Sequence, residues 1–84
     1  MTPVTLSIYS RPGCHLCDEM KALVARVARE YPDLILKETD ISTDASLEAR
    51  YGLEIPVLEI DGRKIAKYRV SEQELRKALK ARAG

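Results

Sequence analysis

Apolar and polar residues alternate from Val4 to Tyr9, with Val4, Leu6 and Ile8 on one face, and this pattern predicts a strand. Arg11-Pro12-Gly13 breaks it. From Cys14 to about Tyr31, the residues Leu16, Met20, Leu23, Val24, Val27 and Tyr31 recur at steps of three and four, predicting an amphipathic helix that Pro32-Asp33 stops. A second strand is expected over Leu34 to Ile41, apolar at Leu34, Ile35 and Leu36 and polar beyond. Ser42 or Thr43 is placed to cap a short helix through about Tyr51, with Gly52 ending it. Glu54-Ile55-Pro56 turns the chain into a third strand, Val57 to Ile60. Asp61-Gly62 is a two-residue hairpin signal leading to a fourth strand near Lys64 to Tyr68. Ser71-x-x-Glu74 is a capping box, and the helix behind it carries Leu75, Ala78 and Leu79 as its apolar stripe.

The expected order is β-α-β-α-β-β-α. A helix joins the first two strands, which should therefore be parallel with a right-handed crossover; the last two form a hairpin and must be antiparallel. The fold class is α/β, one small mixed sheet flanked by helices. No internal repeat, low-complexity segment or linker interrupts residues 1–84, and one domain is expected.

Composition narrows the function. A chain of 84 residues buries only about 60–65% of its unfolded surface, so the core is thin. Its 45% hydrophobic and 32% charged residues suit a globular protein, and the net charge of +1, with both signs interleaved, gives no one-signed face for nucleic acid. No apolar run approaches the roughly 18 residues of a membrane span. The first residues lack the basic, apolar, small-residue order of a secretory leader, so a cytoplasmic location is expected. Structural disulfides are rare in that reducing compartment. A bridge between Cys14 and Cys17 would in any case close a very short loop and constrain the unfolded chain little.

That leaves chemistry for the two cysteines. If the helix starts at Cys14, its sulfur faces unpaired backbone N–H groups and the positive end of the helix dipole. Such an environment lowers a cysteine pKa from about 8.5 to between about 3.5 and 7.5. Cys17 lies one turn deeper on the same side, within reach of a mixed disulfide on Cys14. Cys14 is therefore the expected nucleophile and Cys17 the resolving thiol. Arg11, set by the stiff Pro12-Gly13 turn, either adds positive charge near the Cys14 sulfur or is a solvated loop charge. His15 either assists a thiolate, as cation or proton relay, or is an exposed first-turn residue. Asp18 and Glu19 suit a helix start but oppose a thiolate; the dipole and N–H groups should win, because the carboxylates can swing into solvent.

A structural zinc site wants four Cys or His ligands, and the chain offers two cysteines with one histidine between them. Metal is then expected only if two chains share Cys14 and Cys17 around zinc or an iron–sulfur cluster. Covalent haem needs His directly after the second cysteine, where Asp18 stands.

Ile8-Tyr-Ser-Arg-Pro-Gly-Cys-His-Leu-Cys17 resembles the active-site segment of the glutaredoxins, within the thioredoxin-like superfamily. Glu54-Ile-Pro-Val-Leu58 resembles that superfamily's cis-proline stretch, and Asp61-Gly62 falls where the family has its last hairpin. The resemblance implies a four-stranded mixed sheet with helices on both faces. It implies a cis Pro56 bordering a substrate groove, with the Ile55 backbone pairing to an incoming chain. Arg11 matches a basic residue near glutathione, and His15-Leu16 stands where glutaredoxins usually have Pro-Tyr. Where glutaredoxins carry a Gly-Gly pair and an Asp, this chain reads Ile65-Ala-Lys-Tyr-Arg69. The N–H groups at Ser71-Glu72 are open to a carboxylate, though Glu72 and Glu74 oppose one. Gly13 replaces the thioredoxin Trp before the first cysteine.

The expected function is that of a thiol–disulfide oxidoreductase with Cys14 and Cys17 as catalytic pair and Arg11, His15, Leu16, Ile55 and Pro56 as substrate-binding residues. Its expected partners are a disulfide-bearing protein or a glutathione mixed disulfide, and a thiol reductant, either glutathione or thioredoxin reductase. No resident cofactor is expected, glutathione being a co-substrate, and no nucleic acid or membrane; a monomer is expected. The alternatives are a dimeric iron–sulfur or zinc module using the same cysteines, and an adaptor binding partners through the Pro56 groove with idle cysteines.

Overall fold

A computed structural model of the chain describes residues 3–83. Its elements are β1 (Thr5–Ser10), α1 (His15–Ala28), β2 (Ile35–Asp40), a 3-10 turn (Ile41–Thr43), α2 (Ala45–Tyr51), β3 (Val57–Ile60), β4 (Arg63–Lys67) and α3 (Glu72–Ala83). The sheet order is β2-β1-β3-β4, with β1 and β2 parallel and the other two pairings antiparallel.

Alternation along β1 sends Leu6 and Ile8 to one face, where they meet Leu58 and Ile60 of β3. Met20, Val24 and Val27 of α1 and Leu75 and Leu79 of α3 close that layer. Each such side chain contributes roughly 1.5–3 kcal/mol by leaving water. The opposite face holds a smaller cluster of Ile41, Tyr51 and Val57, flanked by Tyr9, Leu47 and Ile55. Helices therefore cover both faces, and β3, between two layers, is buried at all four positions. β2 is an edge strand and stays mostly exposed, leaving Ile35 and Leu36 in solvent.

Local chemistry sets the boundaries. The hairpin closes with positive φ at both Asp61 (50°) and Gly62 (84°), the two-residue geometry that matches strand twist. The capping box forms: Glu74 N–H donates to Ser71 Oγ, and Ser71 N–H donates to Glu74 Oε1. The cap of α2 differs from expectation. Asp44, not Ser42 or Thr43, accepts the Ser46 and Leu47 N–H groups. Ser42 and Thr43 belong to the 3-10 turn, whose own cap, Asp40, accepts both the N–H and the hydroxyl of Ser42. Helix α1 also ends earlier than its periodicity suggests. Glu30 and Tyr31 N–H groups bond three residues back, to Val27 and Ala28 carbonyls, so the chain tightens while Tyr31 still packs on the core.

Candidate active site

Arg11-Pro12-Gly13-Cys14 is a β-turn closed by Cys14 N–H donating to the Arg11 carbonyl at 3.3 Å. Proline sits at its first central position and Gly13, at φ +79°, at its second, the arrangement of a type II turn. A side chain at Gly13 would be strained by that backbone even though the surrounding space is open. The turn delivers Cys14 in extended conformation (φ −89°, ψ 110°) as the N-cap of α1. Its Sγ accepts the Cys17 N–H at 3.1 Å, the bond an N-cap serine would accept.

Cys14 and Cys17 are joined by a disulfide, with Cα atoms 5.1 Å apart. The two sulfurs live in different surroundings. Cys14 is half-buried, whereas Cys17 is 0% exposed on the core side of α1. Asp18 and Glu19 both face solvent. Among the described residues no three His, Cys, Asp or Glu side chains converge as a metal site, so any ion held by these cysteines would need ligands from elsewhere. Among the described residues no helix is long and apolar enough to cross a membrane.

The other expected site residues divide. The Ile55–Pro56 peptide is cis, as the resemblance implies. The pairing of Tyr9 with Val57 puts Pro56 level with Ser10, at the sheet end from which the Cys14 turn departs. Pro56 is fully buried and Ile55 half-buried, and neither the N–H nor the C=O of Ile55 is bonded among the described residues. Leu16 lies half-buried beside a groove shared with Tyr68 and Val70. His15 projects outward, 87% exposed, with Nε2 3.7 Å from a Glu19 carboxylate oxygen.

Arg11 is neither a free charge nor a merely solvated one. Its Nε and Nη2 donate to the two oxygens of Glu48 on α2, at 2.9 and 2.6 Å. The Glu48 carboxylate raises the Arg11 pKa above its ordinary value. This fork anchors the turn that carries Cys14 to α2, and it neutralises the guanidinium. Removing the Glu48 charge leaves a guanidinium one β-turn from Cys14 with only the Asp40 carboxylate still acting on it. Glu48→Gln should therefore lower the Cys14 pKa, and Arg11→Gln should raise it. Thiolate absorbance of the reduced protein against pH reads both; no movement in either variant would leave the pair a purely mechanical tie.

The Glutaredoxin-like domain (DUF836) matches residues 5–80. The chain belongs to the glutaredoxin-like family. A structural-genomics protein from X. campestris, known from an X-ray structure, is 34% identical to this glutaredoxin-like chain, with a TM-score of 0.76 over 90% of this chain and 96% of that one. A protein of Nitrosomonas europaea is 28% identical at a TM-score of 0.73, covering 93% of both chains. Fasciola hepatica thioredoxin shares the fold at 18% identity and a TM-score of 0.70, over 94% of this chain and 80% of its own. A glutaredoxin-like chain of thioredoxin fold whose C-x-x-C pair stands at bonding distance supports a redox function.

Glu48 and Tyr68 are the parts of this glutaredoxin-like site that sequence reasoning missed. Glu48 is 37 residues from its partner, and no spacing rule connects them. Tyr68 reads as the end of β4, but the strand stops at Lys67 and Tyr68 turns away from it.

Proposed function

We propose that this glutaredoxin-like protein is a thiol–disulfide oxidoreductase. The observation that carries the reading is the unequal exposure of two sulfurs that share one helix start. In the reduced protein the Cys14 thiolate attacks one sulfur of a substrate disulfide. That S–S bond breaks, the departing substrate thiolate takes a proton, and a Cys14–substrate mixed disulfide forms. Cys17 then gives up its proton and attacks the Cys14 sulfur, releasing the second substrate thiol. Two electrons have passed to the substrate, and the protein is left with the Cys14–Cys17 disulfide, which a thiol reductant must reopen.

The local structure suits each step. Backbone N–H groups and the helix dipole favour negative charge on Cys14 as the attacking thiolate. Burial disfavours the thiolate on Cys17 until the mixed disulfide brings an electrophile beside it. The free backbone groups of Ile55, at the same sheet end, suit a substrate in extended conformation, as a polypeptide disulfide would be.

Reduction of a protein disulfide such as insulin, with glutathione or thioredoxin reductase supplied in turn as the electron source, tests the reading and identifies the donor. Turnover with one of them is expected. A reduced protein that transfers no electrons to insulin, even stoichiometrically, would falsify it.

A further inference from the structure

Tyr68 is bound into the site by three observations. Its φ is +68°, a conformation uncommon for any residue but glycine and an outlier for a bulky ring. Arg69 N–H donates to the Lys67 carbonyl at 2.8 Å, so Tyr68 is the centre of a three-residue turn of the strained, positive-φ kind. From there it bonds the proline loop twice: its N–H donates to the Pro56 carbonyl at 2.8 Å and its hydroxyl to the Leu53 carbonyl at 2.9 Å. Tyr68 is nevertheless 43% exposed.

Tyr68 also lines a groove of about 230 Å³ against α1. Leu16, Met20, Leu23 and Val70 supply apolar lining, and Glu19 and Arg69 line it as well. Leu16 stands between the two cysteines in sequence, so at this residue the groove borders the C-x-x-C segment. It is smaller than the roughly 300–1,000 Å³ of sites that enclose whole small molecules. It has room for one large apolar side chain.

We propose that Tyr68 is a specificity-determining residue, holding open a subsite for an apolar side chain adjacent to the substrate's cysteine. The occupant is a disulfide-bearing polypeptide. Its main chain finds the unbonded N–H and C=O of Ile55 in the loop that Tyr68 braces, and its side chain finds the groove that Tyr68 walls. The strained turn couples the two, because relaxing it would withdraw the ring from the groove and both bonds from the loop. This inference rests on the oxidoreductase reading and adds a preference among substrates to it.

The test compares three disulfides as substrates of the reduced full chain: hydroxyethyl disulfide, a disulfide-linked peptide with leucine next to its cysteine, and the same peptide with serine there. Wild type should favour the leucine peptide over the serine peptide at least fivefold in kcat/KM, mainly through KM. Tyr68→Phe, which loses only the bond to Leu53, should narrow that preference, and Tyr68→Gly should remove it. Tyr68→Phe keeps the ring, so it carries the test should the glycine variant fail to fold. Equal kcat/KM for the two peptides in wild type, with hydroxyethyl disulfide reduced, would overturn the subsite alone. So would an unaltered preference in Tyr68→Phe and in any folded Tyr68→Gly. Wild type inert towards all three would bring down the oxidoreductase reading, and this proposal with it.

Discussion

Cys14→Ser is expected to reduce disulfide turnover to the uncatalysed background, a loss of at least about 10³-fold, while Cys17→Ser retains the first chemical step. A serine hydroxyl does not ionise in the range where a capped thiol does, and it cannot form the mixed disulfide. Cys17→Ser still has the turn, the helix start and the half-exposed nucleophile, but nothing to release the substrate. It should accumulate covalent adducts with protein disulfides, visible as reductant-sensitive species of increased mass. The asymmetry follows from burial: Cys17, at 0% exposure, cannot make the first contact with a bulky partner. Equal residual activity in the two single variants would reverse this division of labour.

The second large effect concerns stability on the opposite face of the sheet. The Tyr51 hydroxyl donates to Glu59 Oε2 at 2.9 Å, and its ring stacks on Tyr9 with centroids 4.2 Å apart. Tyr51 is 3% exposed and Glu59 6%. Burial, reinforced by the Glu59 carboxylate, pushes the Tyr51 pKa up from 10.0 to about 12. A phenol whose folded pKa exceeds its unfolded value keeps its proton more tightly in the native state. Its contribution is complete below pH 10 and is lost as pH rises from about 10 to 12. Two units correspond to about 2–3 kcal/mol, a large share of what an 84-residue domain has to spare. Urea unfolding at stepped pH should show that decline. Tyr51→Phe should lose about 1–3 kcal/mol at neutral pH, because it strands a buried carboxylate, and should decline less steeply above pH 10. An identical alkaline slope in both proteins would place the titration elsewhere.

The elements that sequence revealed are those whose determinants lie within a few residues. The alternation of β1, the Asp61-Gly62 turn and the Ser71–Glu74 box each carry their own geometry, and each forms. Cys14 as N-cap was legible for the same reason: Pro12-Gly13 ends the turn and the helical period begins at once. Competing local signals misled. Ser42, Thr43 and Asp44 are all good caps, and only the 3-10 turn after Asp40 decides that Asp44 heads α2. Tyr31 keeps its helical spacing although α1 has ended, because a tightened turn still aims it at the core. What sequence concealed is the long-range polar pairing. Arg11 with Glu48, Tyr51 with Glu59 and Tyr68 with Leu53 all join residues that only the sheet and α2 bring together. The first and the last tie the loops around the cysteines, which is why the redox pair was evident from sequence and its supports were not.

The seating of the two sulfurs also bears on oxidative damage. A peroxide reaching this surface meets Cys14 and converts it to a sulfenic acid, the last rung from which a thiol is readily recovered. Cys17, shielded from the same oxidant by its burial, remains a thiol only three residues away. Condensation of the two expels water and yields the Cys14–Cys17 disulfide, which a reductant can reopen. The buried partner would thus divert the exposed sulfur from sulfinic and sulfonic acids, and exposure to oxidant would return the protein to the disulfide state of the proposed cycle.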